Sequence, residues 1–390
     1  MRSMGIKAKV RLAIVMLLSC LCWGCGSVQE EVMSDSIVTD KEEADDKTAQ
    51  YAEQGVLPEG GLGEAADGNA EAAGETAGVD AGGSNGDLSD QSAEDKDVDV
   101  EEETAAAEDV IPRREAVKVK GIYVSGPVAG IARMDELIEL VDQTELNAMV
   151  IDIKNDEGKI TYKMQSEQVL EIGAAVGYIP DIEELVTKCK ERDIYLIARI
   201  VAFRDPLLAE KKPEWAVHTK DGGIFRDKSG LAWVNPYERG VWDYLVEIAS
   251  EAATVGFDEV QFDYIRFSTD VKTEEVDYGP EDASIGKIGI ITEFTEYVYE
   301  KLRPTGVYVA ADVFGTVIEN ETDQQIVGQD YVKMAEHLDY ICPMIYPSHY
   351  RNGAYGIAVP DADPYKTIYE ACSASIQELG ALAEENRAQV

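Results

Sequence analysis

Gly256-Phe-Asp-Glu-Val-Gln-Phe-Asp-Tyr-Ile-Arg-Phe267 is the stretch of sequence that most constrains the fold. Residues 259–265 in it combine apolar and polar side chains in the pattern of a short strand. Asp263 has the same parity as Gln261, so both side chains point to one face of the sheet. Because an unpaired charge is costly to bury, Asp263 cannot point into an apolar helix layer. We therefore expect it to face the mouth of a barrel, with Arg266 close enough to hold it ionised.

Strand and helix patterns alternate on both sides of this stretch. The predicted strands are 119–125, 148–153, 195–203, 259–265, 306–313 and 339–346. The predicted helices lie at 134–141, 181–192, 235–255, 287–302, 330–337 and 363–384. Repeated strand–helix units with buried-type strands indicate a parallel α/β fold. No GxGxxG or GxxxxGK[ST] pattern follows the first strand, which favours a TIM-type (β/α)8 barrel over a doubly wound nucleotide-binding sheet.

The predicted barrel domain covers residues 118–390 and contains about six of the eight β/α units. The sequence therefore predicts either a C-terminally truncated, incomplete barrel or one completed in another way. A six-stranded barrel has open edges on its first and sixth strands, and open parallel edges favour aggregation. We accordingly expect poor solubility and no catalysis from the isolated chain.

The N-terminus resembles a secretory signal. Basic residues up to Arg11 precede an apolar run over 12–23 that is too short for a comfortable membrane span. The run ends at Gly24-Cys25-Gly-Ser27, which predicts a lipoprotein signal over residues 1–25 with Cys25 as the lipidated residue. Cys20, in a better leucine context, is the alternative; an ordinary signal peptide or an uncleaved anchor with unreacted thiols remains open. The expected location is extracytoplasmic, on the bacterial cell membrane through a lipid anchor.

Residues 26–117 are predicted to form a disordered acidic linker. Residues 29–110 hold 26 acidic residues against three lysines and are nearly free of aromatic side chains. Such a segment cannot bury enough apolar surface to offset its chain entropy. The alternative is a binding tail for a basic partner.

The charge of the whole chain excludes some classes of function. The net charge is −41, from 76 acidic and 35 basic residues. A chain this acidic repels phosphate backbones, so nucleic-acid binding is not expected. The three histidines show no HExxH or Cys/His ligand spacing, so we expect no metal site and no cofactor.

Two carboxylates at the ends of neighbouring strands carry the predicted chemistry. Asp263 ends the fourth strand and Asp312 ends the fifth, in Ala310-Ala-Asp-Val-Phe-Gly315. Catalytic residues of barrel enzymes lie at strand carboxyl ends. Glycoside hydrolysis uses a pair of carboxyl groups, one as acid and one as nucleophile or base. The alternative is a structural ion pair between Asp263 and Arg266.

Other polar and aromatic residues at the same edge are candidates for binding substrate. Asp152 orients a sugar hydroxyl or neutralises Lys154, and Arg199 positions Asp263 or fills a polar layer. Trp233 and Tyr346 are predicted to stack on sugar rings, with packing as the alternative for each. His349 directly follows the sixth strand and completes the predicted set of substrate-binding residues, which is Asp152, Arg199, Arg266, Trp233, Tyr346 and His349.

Six motifs in order resemble a glycoside hydrolase family of bacterial envelope proteins that was long known as a domain of unknown function. They are 119–125, Met149-Val-Ile-Asp-Ile-Lys154, Ala198-Arg-Ile-Val-Ala-Phe-Arg-Asp-Pro206, the stretch 256–267, Ala311-Asp-Val-Phe-Gly315 and Cys342-Pro-Met-Ile-Tyr-Pro-Ser-His-Tyr350. The family is distantly similar to α-amylase-like (β/α)8 hydrolases, and the resemblance covers about 118–388. It implies a barrel and a carbohydrate substrate, with Asp263 at the nucleophile's position. Asp312 falls on the strand of the general acid, which is usually Glu. The family continues past residue 390 with a seventh strand.

The leading hypothesis is therefore a tethered glycoside hydrolase acting on cell-wall or environmental polysaccharide. A glycan-binding protein without catalysis on the same scaffold is the first alternative, and a structural envelope lipoprotein is the second.

Overall fold

The computed structural model describes residues 114–271, 275–280, 282–383 and 387–390. The predicted signal peptide, Cys20, Cys25 and nearly all of the predicted acidic linker lie outside these residues. Within them, no helix combines the length and the apolar character that crossing a membrane would require.

Six parallel strands form the centre of the domain, in the order β1-β2-β5-β7-β9-β10. Short strands β3 and β4 extend the carboxyl end of β2, and β6 pairs with β8 in a separate two-stranded sheet. The strands are β1 (Gly121–Val124), β2 (Ala148–Lys154), β3 (Ile160–Tyr162), β4 (Ala175–Ile179), β5 (Tyr195–Val201), β6 (His218–Thr219), β7 (Glu259–Asp263), β8 (Val276–Asp277), β9 (Tyr308–Phe314) and β10 (Tyr340–Met344). All six predicted strands are confirmed.

Helices follow the parallel strands along the chain. They are α1 (Gly126–Ala129), α2 (Arg133–Asp142), α3 (Glu167–Ile172), α4 (Ile182–Lys190), α5 (Pro206–Lys211), α6 (Arg239–Val255), α7 (Asp282–Leu302, interrupted at Gly286), α8 (Glu321–Val327), α9 (Tyr331–Glu336) and α10 (Pro364–Leu379). Asp181 caps α4 as the sequence indicates, because its side chain accepts a hydrogen bond from the Glu184 N–H.

The predicted start of α6 at Asn235-Pro236 is wrong. The helix begins at Arg239, and Asn235 instead forms a turn in which its Oδ1 accepts the Tyr237 N–H. Its Nδ2 donates to the carbonyl of Tyr278, which lies just past β8. Asn favours turns as well as helix caps, and a tertiary partner decides between them here.

The alternation along β7 sorts its residues into two layers. Val260 and Phe262 are fully buried in the hydrophobic core, where the Phe262 ring meets Phe294 of α7 edge to face. Glu259, Gln261 and Asp263 have the opposite parity and line the other face of the sheet. This confirms the predicted inward direction of Asp263.

The sheet is of the TIM-barrel type but is not closed within the described residues, where no strand joins β1 to β10. Gln389 lies parallel to the start of β10, because its N–H donates to the Asp339 carbonyl and its carbonyl accepts the Ile341 N–H. The open edges expected from six units are thus present in the described part of the chain.

A short segment before β1 crosses the amino ends of the last two strands. Arg114 stacks over the Tyr308 ring at 3.7 Å and forms an ion pair of 3.4 Å with Asp339. It also donates to the carbonyls of Gly306 and Val307. Arg114 thus already contacts the domain, four residues before the predicted boundary at 118.

Candidate active site

Arg199 is the centre of the polar cluster at the carboxyl ends of the strands. Its Nε and Nη2 donate to Asp263 Oδ2 at 3.0 and 2.6 Å, and its Nη1 donates to Asp152 Oδ1 at 2.8 Å. Asp156 lies within 3.4 Å of the same guanidinium. Burial lowers the pKa of Arg199, but the charges of Asp263, Asp156 and Asp152 outweigh burial and raise its pKa overall. Arg199 is therefore a fixed cation that holds two carboxylates in place.

Asp152 is buried, and both of its oxygens have partners. Arg199 occupies Oδ1, and the hydroxyl of Tyr123 donates to Oδ2 at 2.5 Å. The alternative in which Asp152 neutralises Lys154 is wrong, because Lys154 forms its ion pair with Asp205 at 2.8 Å. A register shift between Asp152 and Lys154 breaks the alternation that would have placed the two side chains together.

Asp263 is buried and has hydrogen bonds on both oxygens. Oδ2 binds Arg199, and Oδ1 accepts the backbone N–H of Tyr264 at 2.6 Å. Arg199 is thus the cation that pairs with Asp263. Positioning Asp263 is one of the two roles that the sequence predicts for Arg199. Arg266 lies instead over the rings of Trp233, Tyr264 and Phe314, at 5.2, 4.9 and 4.5 Å.

Asp312 is the neighbour of Asp263 in the sheet. Phe262 of β7 pairs with Ala311 of β9, so the next residues of the two strands are adjacent. Asp312 Oδ1 accepts a hydrogen bond of 2.7 Å from Gln261 Nε2. Burial raises the pKa of Asp312 well above its ordinary value, and the negative charge of Asp263 raises it further, against smaller opposing effects of Arg199 and Gln261. Asp312 is therefore suited to hold a proton beside the Arg199-bound Asp263.

The two aromatic residues predicted to bind sugar differ in exposure. Trp233 is 3% exposed, its Nε1 donates to Asp227 at 3.1 Å, and its ring packs edge-on against Tyr264. The prediction that Trp233 stacks on substrate is therefore wrong, because no face of its ring is open. Tyr346 is 45% exposed, and burial together with the charges of Asp263 and Asp312 raises its pKa.

His349 lies beside Tyr346 at the same edge. The two rings are 5.0 Å apart at an angle of 56°. Burial lowers the pKa of His349, so the imidazole is neutral at pH 7. Tyr346 thus places a partly exposed aromatic ring near the two carboxylates, with His349 beside it.

Three polar residues that the sequence analysis did not select also belong to the cluster. Tyr123 of β1 binds Asp152, whereas Asp156 lies within 3.4 Å of both Arg199 and Arg204. Arg204 Nη1 also donates to the Tyr264 hydroxyl at 2.7 Å. Their position within or just after predicted strands is the signal that could have identified them. In the described part of the chain, no group of three or more His, Cys, Asp or Glu side chains is arranged to hold a metal ion.

A family model described as "Putative glycosyl hydrolase domain" matches residues 121–389. The match covers the sheet, its helices and every residue of the cluster just described. The chain belongs to this glycosyl hydrolase family. A comparison with curated proteins gives no match.

Solved structures of other proteins are similar to parts of this chain. The glycoside hydrolase domain of PgaB (BpsB) from Bordetella bronchiseptica is 12% identical, with a TM-score of 0.50 over 67% of this chain and 81% of that one. A hypothetical protein from Ruminiclostridium thermocellum is 39% identical over 49% of this chain and 97% of its own, with a TM-score of 0.46. The α-galactosidase TtGalA from Thermus thermophilus is 13% identical with a TM-score of 0.42, and the match covers 69% of this chain and about half, 51%, of the enzyme.

Proposed function

We propose that this member of the glycosyl hydrolase family cleaves glycosidic bonds with Asp312 as the general acid and Asp263 as the nucleophile or base. In contrast to the inactivity expected from six β/α units alone, we expect activity because Asp263 and Asp312 are already adjacent on β7 and β9. The observation that supports the proposal is the contrast between two adjacent carboxyl groups. Asp263 binds a guanidinium and a backbone N–H, whereas the pKa of Asp312 is raised by burial and by Asp263. Environments that separate the pKa values of two carboxyl groups are the usual basis for assigning an acid and a base.

The proposed reaction uses these two groups in sequence. Asp312 donates its proton to the glycosidic oxygen as the bond to the anomeric carbon breaks. Asp263 stabilises the positive charge that develops on the sugar, and either bonds to the anomeric carbon or orients the attacking water. Arg199 keeps the Asp263 carboxylate in place throughout, because two of its nitrogens bind the same oxygen.

The proposed substrate is a cell-wall or environmental polysaccharide. The exposed ring of Tyr346 lies near both carboxylates with His349 beside it, and tyrosine rings stack on the apolar faces of sugars. Arg199, Asp152 and Arg266 contribute by shaping the cluster around that surface.

Asparagine substitutions on a panel of polysaccharides test the proposal. We expect Asp263→Asn and Asp312→Asn each to lower kcat by at least about 10²-fold, because each removes a group that acts in the transition state. Asp142→Asn, at the exposed end of α2, makes the same change of charge away from the cluster and should retain full activity. Hydrolysis that persists in both cluster variants would refute the assignment. Binding without turnover by the unsubstituted protein would support the non-catalytic glycan-binding alternative.

We further propose that the protein is extracytoplasmic and held on the bacterial membrane through a lipid on Cys25, with Cys20 as the alternative. The basic and apolar residues before Gly24 support this proposal. Metabolic labelling with a fatty-acid analogue should fail in Cys25→Ala. Label that persists there and disappears in Cys20→Ala would assign the other cysteine, and a complete absence of label would exclude lipidation.

A further inference from the structure

Tyr264 has an unusual backbone conformation directly after Asp263. Its φ angle is +52°, and the described residues contain two other non-glycine residues with positive φ, Asp193 and Tyr355. Left-handed backbone is unfavourable for a bulky L-residue because Cβ approaches the carbonyl oxygen. Such strain persists when the surroundings enforce it, and it concentrates at functional sites.

The surroundings of the Tyr264 side chain supply that enforcement. The Tyr264 hydroxyl accepts a hydrogen bond of 2.7 Å from Arg204 Nη1. The guanidinium carbons of Arg204 and Arg266 each lie 4.9 Å from the ring centroid, and Trp233 packs edge-on at 5.8 Å. These contacts fix the ring, and the fixed ring limits the backbone to the strained conformation.

With the Tyr264 ring held in place, its φ angle sets the direction of its N–H, because φ fixes the angle between the N–H and the substituents on Cα. In a continued strand this N–H would be directed sideways from the strand, along the sheet. Here it turns back and donates to Oδ1 of the preceding residue, Asp263, at 2.6 Å. Because Arg199 binds Oδ2 at the same time, both oxygens of Asp263 are held and the carboxylate cannot rotate.

We propose that Tyr264 is a positioning residue whose strained backbone locks the Asp263 carboxylate in the orientation used for glycoside hydrolysis. The inference rests on the proposed function of Asp263 and extends it to a residue that does not contact substrate. The locking is carried by the backbone N–H, whereas the ring and its two arginine neighbours hold that N–H in place.

Three substitutions separate positioning from simple packing. Tyr264→Gly removes the ring and relieves the backbone strain, so the N–H is no longer held in place. We expect kcat to fall on the order of 10²-fold with little change in KM, because a small misplacement of a catalytic group has an effect of this size. Tyr264→Phe keeps the ring and should retain kcat within about threefold, as a conservative rescue. Asp193→Gly relieves the same kind of strain in an exposed turn before β5 and should leave kcat and KM unchanged. A folded Tyr264→Gly variant with unchanged kcat would overturn the proposal.

Amide hydrogen exchange tests the lock without any activity measurement. The Tyr264 N–H should be protected in the unsubstituted protein but not in Asp263→Ala, which removes the acceptor oxygen. Fast exchange of this amide in the unsubstituted protein would refute the lock, whatever the activity. If no glycan is hydrolysed but the pattern of protection is as expected, the proposed function fails and the lock stands.

Discussion

The two aspartates Asp263 and Asp312 have different environments in the cluster. Asp263 and Asp312 occupy adjacent positions on β7 and β9, yet one binds Arg199 and the other binds the neutral amide of Gln261. Burial disfavours the charged form of a carboxyl group unless a cation compensates. Asp312 receives no hydrogen bond from a cation among the described residues, so the folded state favours its protonated form.

Asp312→Asn should therefore stabilise the protein while abolishing activity. A carboxyl group whose pKa is raised on folding contributes its full stability below its unfolded pKa, and that stability is lost as the pH rises through the folded value. At pH 7 the substitution should raise the free energy of unfolding by about 1–3 kcal/mol. Urea unfolding at pH 7 and near pH 4 measures this difference. A gain that is the same at both pH values would contradict the assignment.

Glu259, at the opposite end of β7, gives a second pH dependence. Burial has the largest effect on its pKa and raises it, a hydrogen bond from Tyr195 lowers it, and the charges of Asp339 and Asp258 raise it. The resulting pKa is about 8. Stability should fall as the pH rises from the unfolded value of glutamate through about 8. Glu259→Gln should be more stable than the unsubstituted protein at pH 9 by about 5 kcal/mol, with little difference near pH 4. Thermal unfolding across this range checks the prediction, and parallel curves for the two proteins would refute it.

Trp233 and Tyr346 should respond in opposite ways to truncation. Trp233 is buried, so Trp233→Ala should lower the free energy of unfolding by about 3–5 kcal/mol. Tyr346 is 45% exposed, so Tyr346→Ala should change stability little and raise KM on an active polysaccharide by about tenfold. Denaturant unfolding and steady-state kinetics on both variants provide the comparison. An unchanged KM in Tyr346→Ala would exclude it from the substrate surface.

At the scale of elements, the sequence predicts the regular parts and fails where alternation is interrupted. The six strands could be identified because their apolar residues are buried against helices. The direction in which the Arg266 side chain points could not be predicted, because the left-handed backbone of Tyr264 ends the strand's alternation three residues after Gln261. The ion-pair partner of Lys154 could not be predicted either, because the register shift in β2 interrupts the alternation between Asp152 and Lys154. Both interruptions lie at strand ends, where polar residues of the cluster are found.

The Lys154–Asp205 pair joins the end of β2 to the start of α5. Both side chains are almost fully buried, Lys154 also donates to the Val201 carbonyl, and Asp205 caps α5 at Leu208. Removing one member of a buried pair leaves an uncompensated charge. Lys154→Met should therefore lower the free energy of unfolding by about 3–5 kcal/mol.

Adding Asp205→Asn to that variant should restore most of the stability. Asparagine keeps the capping oxygen but removes the unpaired charge. Chemical denaturation of the single and double variants forms a double-mutant cycle. If the double variant is as unstable as Lys154→Met alone, the interpretation of the pair as mutually compensating charges is wrong.

At the scale of the whole molecule, exposed apolar side chains are not evenly distributed. The large exposed ones fall in two groups along the chain, residues 117–176 and 346–390, and within the described residues none falls between these groups. The first group includes β1 and α2, and the second includes α10, so the groups flank the first and last parallel strands. From α4 to β10, the described strands and helices have their large apolar side chains covered.

The helix α10 carries the most exposed of these side chains. Tyr365 is 80% exposed, Ile376 65% and Tyr369 60%, and the two tyrosine rings stack at 15° and 6.4 Å. Contiguous apolar patches of this kind favour association, and the unpaired part of β10 lies beside this helix along the chain. The net charge of −41 opposes association by repulsion. The expected behaviour is therefore self-association that increases with both concentration and salt.

A lysine on α10 separates the apolar contribution from the charge. Ile376→Lys removes apolar surface and adds one positive charge, whereas Gln325→Lys adds the same charge at an exposed position on α8. Both substitutions weaken the repulsion between copies, so repulsion alone would make both variants associate more strongly. If the α10 face drives association, Ile376→Lys should instead lower it at least about tenfold, the effect of losing roughly 1.4 kcal/mol from the contact. Sedimentation velocity at several protein concentrations measures the difference, and equal association of the two variants would show that the contact lies elsewhere.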